Sequence, residues 1–149
     1  MKAEPSLRQR ALGCLARREH SRAELQRKLA PHADNAEALA ALLDEFERRG
    51  WLSEKRVIEQ VVHARRARYG SRHIAQKLRD LGVADEAVSR AAADMKAGDL
   101  DAAREVRRRK FGALPKTAEQ RARQWRFLLG RGFDTETVAR VLKDEPEDG

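Results

Sequence analysis

Four cations stand in a row at Arg107-Arg108-Arg109-Lys110. On a helix such a run repels itself and spreads over much of the circumference. An anionic partner relieves that repulsion. The run belongs to a longer basic block: Arg104, Arg107, Arg108, Arg109, Lys110, Lys116, Arg121, Arg123, Arg126 and Arg131, opposed within it only by Glu105 and Glu119. A second block holds Arg65, Arg66, Arg68, Arg72, Lys77 and Arg79 and contains no acid. An isolated Arg is explained by a solvated helix face with local ion pairs. Blocks with few or no acids cannot pair most of their cations locally, and the chemistry they suit is binding. Arg prevails over Lys in both, which favours bidentate contacts to carboxylate or phosphate. Tyr69 sits within the second block. It either stacks on a base or partner at a helix end, or caps the small core of its own module. Trp51, Trp125 and Phe127 lie in apolar patterns and are expected in the core.

The sequence offers little for catalysis. His20, His32, His63 and His73 show no metal-ligand spacing on a shared face. There is no phosphate-binding glycine loop and no nucleophile elbow. Cys14 stands among Ala11, Leu12 and Leu15 and reads as a buried, inert thiol. With one cysteine there is no intramolecular disulfide. The expectation is a protein that is not an enzyme and uses no cofactor or metal.

The elements that must carry these residues are helices. The chain has 149 residues, of which 38% are charged, against a usual ~25%. Lys and Arg outnumber Asp and Glu by 32 to 24, and the isoelectric point is near 10.2. A thick-cored globular enzyme is therefore disfavoured, and an anionic partner is favoured. No apolar run approaches the ~20 residues of a membrane span. The N-terminus lacks an apolar signal core, so a cytoplasmic location is expected. Leu39, Leu42, Leu43 and Phe46 recur at helical spacing, as do Ala118, Ala122, Trp125 and Leu129. No stretch alternates with period two.

Helix starts are marked by side chains able to accept from an orphan backbone N–H: Ser6, Ser21, Asn35, Ser53, Ser71, Asp85, Asp99, Thr117 and Thr135. Three of them, Ser6-x-x-Gln9, Ser21-x-x-Glu24 and Thr117-x-x-Gln120, fit the capping box. Gly50, Gly70, Gly82, Gly98, Gly112 and Gly132 fall near the helix ends. The starts group in threes. Leu78-x-x-x-Gly82-Val83-x-Asp85-Glu86-x-Val88 matches Leu128-x-x-x-Gly132-Phe133-x-Thr135-Glu136-x-Val138 at an offset of 50. A period of that size marks a modular array. The expected fold is all-α, an elongated tandem array of three three-helix repeats with about nine short helices. The expected boundaries are a tail at 1–5, repeats at 6–52, 53–98 and 99–143, and a loose acidic tail at 144–149.

Three stretches resemble the RecX family of bacterial recombination regulators. They are Ala11-Leu12-Gly13-Cys14-Leu15 through Ser21-Arg22-Ala23-Glu24-Leu25; Gly50-Trp51-Leu52-Ser53 with Arg65-Arg66-Ala67-Arg68-Tyr69-Gly70-Ser71-Arg72-His73-Ile74 and Leu81-Gly82-Val83; and Arg126-Phe127-Leu128-Leu129-Gly130-Arg131-Gly132-Phe133. Their order and spacing cover about residues 7–143. Ser71 departs from the proline that many relatives carry after Tyr-Gly, and Gly130 from a polar or basic residue. The resemblance implies tandem three-helix repeats and a regulator that lodges in the groove of the RecA recombinase filament on DNA, restraining its recombinase and ATPase activities. The expected contact residues are Arg65, Arg66, Arg68, Tyr69 and Arg72, with a second set at Arg104, Arg107, Arg108, Arg109, Lys110, Arg123 and Arg126. Single- or double-stranded DNA is a possible direct contact, no membrane is involved, and a monomer is expected. The alternative is a basic helical protein that acts on DNA alone.

Overall fold

The structure is a computed structural model that describes residues 3–143. The expected acidic tail at 144–149 and the first two residues of the N-terminal tail lie outside the described residues. Among the described residues there are nine α-helices and no strand. They are α1 (Leu7–Arg17), α2 (Arg22–Leu29), α3 (Ala36–Arg48), α4 (Glu54–Arg65), α5 (Ser71–Asp80), α6 (Asp85–Lys96), α7 (Asp99–Phe111), α8 (Ala118–Gly130) and α9 (Thr135–Lys143). A short 3-10 turn, Ala30–His32, follows α2. Among the described residues no helix is long and apolar enough to cross a membrane.

Local chemistry explains most of the starts. Ser6 and Ser21 cap α1 and α2, each with a complete capping box. Asn35 accepts from the Ala38 N–H, Ser53 from Arg56 and Thr117 from Gln120. The Gln120 side chain reaches the Lys116 N–H instead of closing a box on Thr117. Other starts are shifted. Asp134, not Thr135, caps α9, accepting from the Thr137 N–H at 2.8 Å. That backbone hydrogen bond holds the Asp134 carboxyl below its ordinary range. Ser71 and Asp99 are the first residues of their helices, and their oxygens serve other groups.

The matching turns after α5 and α8 close in the same way. Val83 N–H donates to Leu78 and Gly82 N–H to Arg79; Phe133 N–H donates to Leu128 and Gly132 N–H to Leu129. This is the Schellman pattern, and it requires the positive φ of +81° at Gly82 and +93° at Gly132. The repeated motif thus encodes one turn used twice. Gly70 and Gly98 do not take a left-handed conformation.

The described chain forms two compact units, and the division falls inside α4 and α5. Unit 1 runs to Gln60 and includes Leu78–Ala84; unit 2 is Val61–Lys77 with the residues from Asp85 onward. Unit 1 buries Ala11, Leu25, Leu29, Leu39, Leu43, Phe46 and Leu52 together, with half-buried Cys14 against them. Contrary to the core expectation, Trp51 is 38% exposed, with its ring edge-on to Phe46. Arg18 binds Glu24 through two hydrogen bonds. Burial alone would raise the Glu24 pKa, but the hydrogen bond from Arg18, together with the charges of His20 and Arg18 and the Ser21 N–H, makes the net shift downward.

Unit 2 buries Ala103, Val106, Leu128, Phe133, Val138, Val141 and Leu142 where α7, α8 and α9 pack on one another. Trp125 and Phe127 are half-buried at the margin of this core. Ile74, Ala75, Ala87, Val88, Ala91 and Met95 are also buried in unit 2.

Candidate functional site

Two glycines bring the two basic blocks together. The Gly70 N–H donates to the Arg131 carbonyl at 2.7 Å, and the Arg72 N–H donates to the Gly132 carbonyl at 3.1 Å. A Cβ on Gly70 would lie 2.5 Å from the Gly132 oxygen, and one on Gly132 would lie 2.5 Å from the His73 nitrogen. Only unsubstituted backbone allows this approach. The segment before α5 is thereby laid along the turn after α8.

The side chains around this contact form a ladder. Tyr69 stacks on His73, with centroids 3.8 Å apart and planes 9° from parallel. Arg131 places its guanidinium 5.0 Å from the centre of the Tyr69 ring and 4.9 Å from that of Phe127. Lys110 lies 5.4 Å from the Phe127 ring centre. These are cation–π distances. Arg65 donates toward His73 Nε2 at 3.2 Å. Burial, and then the charges of Arg65, Arg131 and Lys77, push the His73 pKa down.

Beside the ladder lies a groove of about 200 Å³. Ala67, Val106 and Phe127 supply apolar surface, and Arg68, Arg109, Lys110 and Arg131 supply the charge. Arg68 comes from the segment between α4 and α5, Arg109 and Lys110 from the last turn of α7, and Arg131 from the end of α8. Residues more than sixty positions apart in sequence therefore share one surface.

Every residue of the expected contact set lies in unit 2, but their situations differ. Arg66 is committed internally. It donates to Asp99 at 2.6 Å and to the Met95 carbonyl at 2.5 Å. Asp99 also accepts from the Ser71 N–H and from its hydroxyl. With the Asp99 side chain only 3% exposed, this is a buried, satisfied network. Arg104 pairs with Asp101, and Arg108 and Arg109 pair with Glu105. Arg107 is half-buried on α7. Arg72 and Arg126 are exposed, and Arg123 lies 5.9 Å from the Phe111 ring centre. Tyr69 is half-buried, so neither expectation for it describes it fully: its ring is held within unit 2 by His73 and Arg131.

The expected set lacks Arg131, Phe127 and Val106. Arg131 stood in the basic block and in the Arg131-Gly132-Phe133 motif, which was the available signal. Nothing in the spacing marks Val106 or Phe127 as groove residues.

The architecture is that of a helical-repeat protein built from three-helix units. Residues 97–142, which contain α7, α8 and all but the last residue of α9, match the family model described as RecX, third three-helix domain. The chain is 45% identical over 138 residues to the regulatory protein RecX of Ralstonia nicotianae, covering 93% of this chain and 87% of that one. It is 46% identical to the regulatory protein RecX of Leptothrix cholodnii, covering 93% and 88% respectively. The crystal structure of RecX from Lactobacillus salivarius superimposes with a TM-score of 0.76 over 91% of this chain and 92% of that one, at 15% identity, and so shares the fold. The chain belongs to the RecX family of regulatory proteins.

Proposed function

We propose that this protein binds the filament that the RecA recombinase forms on DNA and restrains its recombinase and DNA-dependent ATPase activities. Family membership supports the class of partner. The observation that carries the reading to particular residues is the convergence of both basic blocks on one groove, where Arg68, Arg109, Lys110 and Arg131 surround apolar surface. Such a surface binds a partner without transforming it. A filament offers the same epitope on every protomer, so the repeats at 6–52, 53–98 and 99–143 gain avidity when more than one engages. The protein acts in this reading as a cytoplasmic monomer, without a cofactor.

The test is RecA ATP hydrolysis on single-stranded DNA, titrated with this protein while DNA is in large excess. Inhibition at amounts below one regulator per RecA protomer is the expected result. Inhibition that vanishes when DNA is in excess overturns the reading in favour of action on DNA alone, which the net charge of +8 otherwise favours.

A further inference from the structure

We propose that the groove of unit 2 receives an acidic peptide segment carrying one bulky apolar side chain. This rests on the proposed function for the kind of partner and adds the chemistry by which that partner is held.

Charge complementarity selects the acidic part. Arg68, Arg109, Lys110 and Arg131 line the groove, and the acid paired near them, Glu105, is itself shared between Arg108 and Arg109. Arg109 remains 59% exposed despite that pair. Its guanidinium carries five N–H donors, so donors remain for a second carboxylate.

The floor selects the apolar part. Ala67, Val106 and Phe127 all line it, and phosphates alone give no reason for apolar lining. The groove volume of about 200 Å³ compares with the roughly 150 Å³ that accommodates benzene in an engineered cavity. One phenyl or isobutyl group fits.

The aromatic rings argue against a nucleobase as occupant. A base needs a ring face to stack on. Phe127 already carries Arg131 and Lys110 over its ring and meets Phe111 edge-on. Tyr69 is taken by His73 and Arg131. Stacking a base on either ring would displace these partners.

The experiment measures fluorescence anisotropy of three labelled probes on the intact protein: a short Asp- and Glu-rich peptide with one central Phe, the same peptide with Ser in its place, and an oligo-dT. The Phe peptide is expected to bind about tenfold tighter than the Ser peptide. Ala67→Tyr, at an exposed position, fills the floor and should abolish the difference in affinity between the Phe and Ser peptides. Lys110→Glu should weaken both. Far-ultraviolet circular dichroism establishes that each variant is folded. Equal binding of the two peptides overturns the inference. So does oligo-dT binding tighter than the Phe peptide and weakened equally by Lys110→Glu, which marks a nucleic-acid surface. Loss of peptide discrimination with RecA inhibition intact refutes the groove assignment alone. Peptide discrimination with no RecA inhibition refutes the proposed function alone.

Discussion

Gly70 donates its backbone N–H to the carbonyl of Arg131 at 2.7 Å, and this bond positions the cation that links Tyr69 to Phe127. It also explains why two short motifs far apart in the chain each contain glycine. Each Cβ that a substitution would add meets backbone of the other segment.

Gly132→Ala combines a φ of +93° with a Cβ 2.5 Å from the His73 nitrogen. It should cost about 3 kcal/mol or more, because neither strain nor overlap relaxes locally. Gly50→Ala shares a positive φ but meets open space, and should cost about 1–2 kcal/mol. Urea unfolding of both variants checks the order. Equal losses would mean that the Gly70–Gly132 approach contributes nothing to stability.

Asp99→Ala should destabilise by about 3 kcal/mol, since it strands the Arg66 guanidinium and leaves the Ser71 N–H and hydroxyl without an acceptor. Ser71→Ala should cost only about 1 kcal/mol, the loss of one hydroxyl bond. Arg66→Ala should likewise lower the melting temperature, whereas Arg68→Ala, at an exposed position, should not. Thermal melts separate a structural arginine from a contact arginine two residues away.

Two histidines make stability fall in mild acid. Buried His20 donates from Nδ1 to the Arg18 carbonyl and accepts at Nε2 from Lys28, and burial lowers its pKa. His73 is lowered by burial and by Arg65, Arg131 and Lys77. The folded state therefore binds fewer protons than the unfolded chain below the ordinary value of 6.5. The stabilisation is complete above that value and is lost as pH falls through the lower folded pKa values. Melting temperature should drop between neutral pH and about pH 5. His73→Gln should flatten that dependence. An unchanged slope would show that His73 titrates normally.

Arg68→Glu with Arg109→Glu should raise the half-inhibitory concentration against RecA by about tenfold or more, as two charge-assisted contacts are reversed. Lys55→Glu, 85% exposed on α4 in unit 1, serves as the charge control and should have little effect. The inhibition assay, repeated at raised salt, checks both statements. Equal loss in both variants would point to net charge in place of the groove.

The helices were legible in the sequence because their determinants are local. Ser6, Ser21, Asn35, Ser53 and Thr117 cap the helices expected of them, since a cap needs only an oxygen and an N–H two or three residues on. The Gly82 and Gly132 turns followed from a repeated motif for the same reason. Thr135 gave way to Asp134, its neighbour, because either oxygen can reach that helix start. Tertiary structure decided the rest. Ser71 and Asp99 carry capping side chains, but folding brings them to each other and to Arg66, a charged partner that outcompetes a local N–H. Trp51 sits in an apolar pattern, yet the end of α3 leaves its ring near the surface. Arg66 and Arg68 read alike in a basic run. One is half-buried and paired with Asp99 and the other lines the groove, because only the packing of α7 determines which of them meets a carboxylate.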